Sequence, residues 1–267
     1  MKSFVSKFLL IPLFLSISLY IFQISAIGRI NSELEIPSYG SLKNSCGEAN
    51  LLIRFCNSGR EVLLLGDSHA EMYALALSHL YRTKDIPFAD ASLTSCPFLE
   101  DLGPKTTYEC RNRNALVNLE IKKFSFKTLI YTQKFDGETD VLRTLKSLKK
   151  YSQYFDQIYL IGPNPVWPDG DKFLKIGPFF RPIYDPPKTL PIDYFSGVFF
   201  LESELIVKLS EIDNLSYLSP NQVFCSKVEC RRSNTEGSWM YIDDNHLSII
   251  GASELVNYWG HTLALRN

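Results

Sequence analysis

Apolar residues in this chain fall into short continuous runs, and longer stretches with helical spacing separate them. The clearest run is residues 61–65, and the further strand candidates are residues 86–93, 128–132, 158–162 and, with a weaker pattern, 215–218. Short runs without alternation are typical of strands that are buried on both faces of a parallel sheet. The helical stretches are residues 70–82, 112–122, 139–154 and 248–265. The alternation of strands and helices predicts an α/β fold with a central, mostly parallel, five-stranded sheet.

The longest apolar run lies at the start of the chain. Lys2 and Lys7 precede residues 8–27, which contain no charged side chain. A helix of about 20 residues is roughly 30 Å long and can cross a bilayer, and the preceding positive charge favours a cytoplasmic N-terminus. Ala26 also permits signal-peptide cleavage. We therefore expect residues 1–27 to be an N-terminal hydrophobic helix that acts as a signal anchor or signal peptide, and the rest to be exported.

Cysteine usage agrees with export, because disulfides form in oxidising compartments. The chain has six cysteines in three couples of sequence neighbours, and neighbours close small loops easily. The predicted pairs are Cys46 with Cys56, Cys96 with Cys110, and Cys225 with Cys230. The absence of a CxxC pair and of clustered histidines argues against a zinc site, so no metal is expected. If the chain stays in a reducing compartment, unpaired cysteines buried as small hydrophobic residues are the alternative.

Composition and charge limit the function classes. The chain has 28 basic and 29 acidic side chains, a net charge of −1, and 45% hydrophobic residues. It lacks the basic surface of a nucleic-acid-binding protein, and its apolar content excludes a disordered chain. Residues 31–50 are polar, and residues 28–60 are expected to form a linker and a disulfide-closed loop. Residues 61–267 then form one domain.

One segment interrupts the alternation of strands and helices. Residues 163–191 hold eight of the fourteen prolines together with several aromatic residues, among them Trp167. That much proline is incompatible with a helix or a central strand, so we expect an ordered excursion near the edge of the sheet. The aromatic side chains could wall a ligand cleft and stack on sugar rings. Packing of the loop onto its own domain is the alternative.

A Gly-Asp-Ser turn follows the first strand of the predicted sheet. Gly66 permits a tight turn, and Ser68 would stand at the start of the next helix, at the sheet edge where open α/β folds bind ligands. The helix dipole and the backbone N–H of Ser68 favour negative charge there, which suits a nucleophile and an oxyanion donor. The alternative is that Asp67 or Ser68 is only a helix N-cap.

A base for this serine is found in the segment DDNHLS, just before the last helix. Asp243 and His246 are three residues apart, so both can lie on one face of a turn. The carboxylate would then bind one imidazole nitrogen while the other nitrogen faces the serine hydroxyl. Asp244 competes for the role of this carboxylate. The pattern favours nucleophilic catalysis by Ser68.

The motifs GDSHA and DDNHLS resemble the first and last sequence blocks of the SGNH (GDSL-like) hydrolase superfamily. More narrowly, the chain resembles the SGNH domain fused to membrane acyltransferase-3 proteins, which O-acetylate bacterial surface polysaccharides. The segments SCPF and FCSKVEC match the cysteine segments of that subfamily. The resemblance covers residues 46–265 and implies a single SGNH-like catalytic domain of three layers. It implies Ser68 as nucleophile, His246 as general base and Asp243 as the orienting carboxylate, without a cofactor.

The chain departs from the superfamily at the oxyanion hole, where a glycine after the second strand and an asparagine after the third are expected. Thr94 and Ser95 occupy the first place, so the backbone N–H of Ser95 would assist that of Ser68. Gln133 follows the third strand and could donate through its side-chain amide. The residues expected to contact substrate are His69, Lys134 and Trp167.

Together these features predict an exported serine O-acyltransferase or acylesterase that modifies a cell-envelope polysaccharide through an acyl-enzyme on Ser68. The expected partners are the polysaccharide acceptor, an acyl donor and a separate membrane acyltransferase. The expected location is the bacterial periplasm, with single-pass membrane association or release by signal cleavage. A catalytically silent glycan-binding or assembly subunit is the alternative from another class. A lipid esterase or thioesterase would use the same three residues with a different pocket.

Overall fold

A computed structural model describes residues 53–56, 59–103, 106–168 and 187–264. The expected N-terminal hydrophobic helix at residues 1–27 lies outside these ranges. So do Cys46 and residues 169–186, which make up most of the proline-rich segment. Within the part of the chain that is described, no helix is both long and apolar enough to cross a membrane.

Eight strands form two sheets in the described ranges. In chain order they are β1 (Arg54–Phe55), β2 (Val62–Gly66), β3 (Phe88–Asp90), β4 (Thr128–Thr132), β5 (Gln157–Ile161), β6 (Thr189–Pro191), β7 (Leu215–Leu218) and β8 (Glu229–Arg231). The larger sheet has the order β1-β3-β2-β4-β5-β7, and the smaller sheet pairs β6 with β8. The edge strand β1 is antiparallel to β3, whereas all other pairs of the larger sheet are parallel.

Six α-helices accompany these strands in the described ranges. In chain order they are α1 (Ser68–Thr83), α2 (Tyr108–Phe124), α3 (Glu138–Tyr151), α4 (Ser196–Leu209), α5 (Asn221–Phe224) and α6 (Ile249–Leu263). Short 3-10 turns extend α3 at Ser152–Tyr154 and precede α4 at Ile192–Phe195. Helix α1 connects the parallel neighbours β2 and β3, and α3 connects β4 and β5, as parallel pairing requires.

The central sheet lies between two hydrophobic cores. Along β2, Val62 and Leu64 pack into the core shared with α1 and α6. The intervening Leu63 and Leu65 pack into the second core, with apolar residues of α2, α3 and α4. Because neighbouring side chains of a strand point to opposite faces, a run of consecutive apolar residues fits a sheet that is covered on both sides. This arrangement confirms the prediction of a three-layer α/β domain.

All five predicted strands are present, and the larger sheet has a sixth, β1. This two-residue strand is too short to give a periodic signal, and it lies in the range expected to form the linker and disulfide loop. The strand predicted at 86–93 is confined to Phe88–Asp90. The small β6–β8 sheet and helix α4 are further elements that the apolar pattern did not predict.

Two of the three predicted cysteine pairs lie in the described ranges. Cys96 is joined to Cys110 and so links the segment after β3 to the first turn of α2. Cys225 is joined to Cys230 between α5 and β8. The pair of Cys46 with Cys56 stays a prediction, since Cys46 is outside the described residues.

Candidate active site

The turn from β2 into α1 contains Gly66, at a position where a side chain does not fit. Gly66, the last residue of β2, has φ +145°, and a Cβ there would lie 1.7 Å from the carbonyl oxygen of Thr132 at the end of β4. The missing side chain lets the two strand ends approach closely. Helix α1 then begins at once with Ser68, which is half-buried.

Asp67 caps helix α1 and connects it to the neighbouring strand. Its carboxylate accepts the backbone N–H of His69 at 2.9 Å and that of Lys134 at 3.1 Å. Burial raises the pKa of the Asp67 carboxyl, and these two hydrogen bonds and the charge of His246 oppose the rise. The N-cap alternative therefore applies to Asp67, which leaves the hydroxyl of Ser68 free for other contacts.

Asp243 and His246 lie in a tight loop between α5 and α6. An antiparallel bridge between Tyr241 and Leu247 closes this loop at its base. One carboxylate oxygen of Asp243 accepts the backbone N–H groups of Asn245 and His246, at 2.8 and 2.5 Å. The other oxygen lies 2.7 Å from Nδ1 of His246. Two residues three positions apart thus meet because the carboxylate itself holds the turn between them.

The imidazole of His246 reaches Ser68 across 178 positions of sequence, with Nε2 at 2.8 Å from Oγ. Since the Asp243 carboxylate can only accept, Nδ1 carries the proton and Nε2 is the acceptor that faces the serine hydroxyl. Burial alone would lower the pKa of His246, but the hydrogen bond and charge of Asp243 outweigh it and raise the pKa. Burial likewise tends to raise the pKa of Asp243, and the hydrogen bonds it accepts lower it on balance.

Asp244 does not take the orienting position. Its side chain accepts the amide of Asn245 at 3.0 Å, and its backbone carbonyl accepts the N–H of Trp167 at 2.7 Å. The structure thus places Ser68, His246 and Asp243 in one hydrogen-bonded row. Such a row can transfer a proton from a serine hydroxyl to a base whose tautomer is fixed.

Comparison with known proteins agrees with this geometry. A family model described as SGNH domain (fused to AT3 domains) matches residues 43–260. The chain belongs to the SGNH domain family.

Two solved structures are similar to this SGNH domain. One is the periplasmic domain of the lipopolysaccharide acetyltransferase of Salmonella ser. Paratyphi A, with a TM-score of 0.64 and 20% identity, covering 85% of this chain and 95% of that one. The other is the C-terminal catalytic domain of peptidoglycan O-acetyltransferase A of Streptococcus pneumoniae with a methylsulfonyl adduct. Its TM-score is 0.44 at 16% identity, covering 78% of this chain and 93% of that one. A comparison with curated proteins finds no match.

His69 forms a buried wall of the SGNH site beside the base. Its ring lies 4.9 Å from the ring of His246, and its side chain is buried. Burial and the charge of His246 lower the pKa of His69 to about 4, so His69 is neutral at physiological pH. Its Nε2 is buried without a hydrogen-bond partner among the described residues.

Ser95 lies in an exposed turn after β3, where it adopts the left-handed region with φ +58°. The backbone N–H of Cys96 donates to the carbonyl of Leu93 at 3.0 Å and closes the turn. The turn is hydrogen-bonded to the end of β2, since the N–H of Leu93 donates to the carbonyl of Gly66 at 3.1 Å. The expected oxyanion segment is therefore next to the end of β2.

Gln133 does not offer its side chain to Ser68. It is buried, its amide donates to the Thr144 hydroxyl at 2.9 Å, and its oxygen accepts the Tyr131 hydroxyl at 2.7 Å. Gln133 and Tyr131 share one face because they are two positions apart, and Tyr131 belongs to the core below α3. The expectation that the Gln133 amide serves as an oxyanion donor is corrected accordingly.

Lys134 contacts the site mainly through its backbone, which donates to Asp67. Its side chain is about half exposed and pairs with Asp136 at 3.0 Å. The hydrogen bond that Lys134 donates to Asp136 raises the pKa of Lys134, with further contributions from the charges of Asp136, Asp244 and Asp67. The ammonium is thus a charged group near the carboxyl end of β4.

Trp167 is a core residue and not a platform for sugar rings. It is 1% exposed, with Phe195 and Tyr241 in edge-on contact at 5.0 and 5.7 Å. The guanidinium of Arg232 lies 4.3 Å from its ring centroid. Its expected contact with substrate is therefore corrected, and the packing alternative holds at this end of the proline-rich segment.

Sequence reasoning missed two residues that support the base. Asn164 is buried; its oxygen accepts the Tyr73 hydroxyl at 3.1 Å, and its amide donates to the carbonyl of Asn245 at 3.3 Å. The sulfur of Met72 accepts the N–H of Leu247 at 3.3 Å. Asn164 follows β5 at the same sheet edge as Ser68, a signal that could have identified it.

Proposed function

We propose that this SGNH domain is a serine O-acyltransferase, of the O-acetyltransferase kind, or an acylesterase that forms an acyl-enzyme on Ser68. The observation that carries the proposal is the row of hydrogen bonds from Ser68 through His246 to Asp243, at 2.8 and 2.7 Å. This row supplies a nucleophile, a base and an orienting carboxylate without a metal or cofactor.

The reaction begins when Oγ of Ser68 attacks an acyl carbonyl while its proton passes to Nε2 of His246. The tetrahedral intermediate collapses, the bond to the leaving oxygen breaks, and His246 returns the proton to that oxygen. The acyl-enzyme is then attacked by a sugar hydroxyl or by water, whose proton His246 accepts. Collapse releases the acylated sugar or the free acid and restores the hydroxyl of Ser68.

A cell-envelope polysaccharide is the acceptor that we propose. Its support is the family description, which names domains fused to AT3 domains, together with the fold shared with a lipopolysaccharide acetyltransferase domain. We further propose that residues 1–27 place the domain on the extracytoplasmic side, anchored or released, and that a separate membrane acyltransferase delivers the acyl group.

The test is detection of an acyl group on Ser68. Full-length parent and Ser68→Ala proteins are incubated with an aryl acetate, and intact mass and peptide mapping follow. We expect one acetyl group on Ser68 of the parent and none on the variant. Candidate saccharides added to the acetylated protein should discharge it faster than water if the enzyme is a transferase, and no faster if it is an esterase. A folded parent that is never acylated would contradict the proposal and favour the silent glycan-binding alternative.

A further inference from the structure

Glu71 is a buried carboxylate that the proposed mechanism does not use. It lies on α1, three residues after Ser68, and its side chain is 7% exposed. Burying a carboxylate is costly unless hydrogen bonds compensate for the lost water. Burial indeed raises the pKa of Glu71, and hydrogen bonds from Thr94 oppose the rise. The position therefore calls for a specific partner, and the hydroxyl of Thr94 donates to it.

Thr94 and Ser95 are the two central residues of the turn after β3, which we call the 93–96 turn. The bond from Cys96 to Leu93 closes this turn. In such a turn the N–H groups of the central residues are not used by the turn itself. Within the described ranges, no backbone carbonyl is in hydrogen-bond contact with the N–H of Ser95.

The 93–96 turn adopts a conformation that its own residues do not favour. Ser95 has φ +58°, where a residue with a Cβ is disfavoured by sterics. Contacts from outside must therefore hold the turn in place. The disulfide of Cys96 with Cys110 holds one side, and the bond from Thr94 to Glu71 holds the other.

Ser68 and Glu71 are three apart on one helix and so lie on neighbouring positions of one face. The 93–96 turn is bound to Glu71 through Thr94 and to Gly66 through its first residue, Leu93. These two contacts hold the turn close to Ser68. Acyl transfer at Ser68 creates an oxyanion, which is stabilised only by donors already in position.

We propose that Glu71 is a positioning residue: by accepting the hydroxyl of Thr94 it fixes the 93–96 turn, so that the backbone N–H of Ser95 serves as an oxyanion donor. This inference rests on the proposed function. The oxyanion donor is then a backbone N–H, since the side-chain amide of Gln133 donates to Thr144 instead. The carboxylate acts through the turn and does not touch the substrate.

The experiment compares full-length Thr94→Val with Thr94→Ser and with Thr83→Val. The first removes the hydroxyl at constant shape and the second restores it. The third removes a hydroxyl that bonds Leu80 at the exposed end of the same helix. Acylation of Ser68 by an aryl acetate is measured as kcat and KM. Amide hydrogen exchange of the 93–96 turn is measured in parallel.

We expect T94V to lower kcat for acylation by roughly 10- to 100-fold with little change in KM, because a displaced donor affects the transition state and not binding. T94S should recover the parent rate, and T83V should keep it. The 93–96 amides of T94V should exchange faster than those of the parent. Glu71→Gln, which keeps the shape but is a weaker acceptor, should show a smaller loss in kcat.

The outcomes separate the two proposals. If the parent is active and T94V has the same kcat, the role of Glu71 is overturned and the proposed function is unaffected. A parent that is never acylated would overturn the proposed function, and hydrogen exchange would then decide the positioning role. If the amide hydrogens of the 93–96 turn exchange at the parent rate in both T94V and E71Q, the positioning role of Glu71 is overturned. Faster exchange that is confined to this turn would support the positioning role.

Discussion

The two oxygens of the Asp243 carboxylate have different partners. One oxygen holds the backbone of the loop by accepting two N–H groups, and the other contacts Nδ1 of His246. Hydrogen bonds to a carboxylate favour its charged form, which is why the pKa of Asp243 is lowered although burial acts in the opposite direction. The same charge raises the pKa of His246. Asp243 therefore helps to hold the loop, fixes the tautomer of His246 and raises its pKa.

This coupling predicts the pH dependence of acylation. His246 must be neutral to accept a proton, so kcat/KM should rise with pH through the pKa of His246, which lies above its ordinary value of 6.5. In Asp243→Asn the raising contributions of Asp243, which are the largest, are lost while burial remains, so the pKa of His246 should fall and the acid limb should move to lower pH. The plateau should also fall, by roughly 10³- to 10⁴-fold, because the tautomer is no longer fixed.

Two measurements check this prediction on the parent and Asp243→Asn proteins. NMR titration of the His246 ring gives its pKa directly, and aryl acetate turnover between mildly acidic and mildly basic pH gives the rate profile. A His246 pKa that stays the same or rises in the variant would contradict the assignment of Asp243.

Residues of the site could be predicted from sequence where spacing alone brings them together. Asp243 and His246 could be paired because one turn brings residues three positions apart together. Ser68 could be placed because it follows the end of a predicted strand. Gln133 and Trp167 were misplaced because their position depends on which side of the backbone faces the core. The alternation along β4 puts Gln133 on the face of Tyr131, and Trp167 fills a space between elements distant in sequence. Burial of this kind is decided by tertiary packing.

At the scale of elements, the passage from β2 to α1 depends on close approach of two strand ends. The carbonyl of Thr132 occupies the space that any side chain at Gly66 would need. Prediction succeeded for such elements because continuous apolar runs mark buried strands. It failed for β1, which has two residues, and for α4, whose exposed face carries Phe200 and Val207 and blurs the helical pattern.

Gly66→Ala is expected to lower the free energy of unfolding by about 3 kcal/mol or more, because a Cβ would overlap backbone that cannot move independently. Gly197→Ala is the matched control, since nothing lies within 4 Å of its Cβ position in the first turn of α4. That control should raise stability by roughly 0.5 to 1 kcal/mol. Urea unfolding followed by circular dichroism measures both. Similar stabilities of the two variants would disprove the close approach at Gly66.

The disulfide between Cys96 and Cys110 connects a loop to a helix across 14 positions. A Cys96→Ala, Cys110→Ala double variant should lose about 2 to 4 kcal/mol of unfolding free energy, since the unfolded chain regains the freedom of that loop. The corresponding double variant of Cys225 and Cys230, which are 5 positions apart, should lose less because the closed loop is shorter. Chemical denaturation of both double variants tests the order. An equal or reversed loss would contradict the loop-entropy explanation.

At the scale of the whole molecule, α1 and α6, the first and last helices of the described residues, pack against each other on one face of the sheet. Tyr73 of α1 and Trp259 of α6 lie 6.3 Å apart between ring centroids, and the hydroxyl of Tyr81 donates to the carbonyl of Leu263 at 3.1 Å. Ser68 begins α1 and His246 directly precedes α6. The same contact that completes the core on this face therefore also brings Ser68 and His246 together.

Under the proposed function, the contact between α1 and α6 also determines when Ser68 can become reactive during biosynthesis. A ribosome delivers the chain from its N-terminus, so Ser68 emerges with β2 and α1 long before His246, which is 178 residues later. Until α6 has been made and has docked on α1, the hydroxyl has no base and is as unreactive as any other serine. Synthesis and packing of the segment that carries His246 therefore give Ser68 its hydrogen-bond partner.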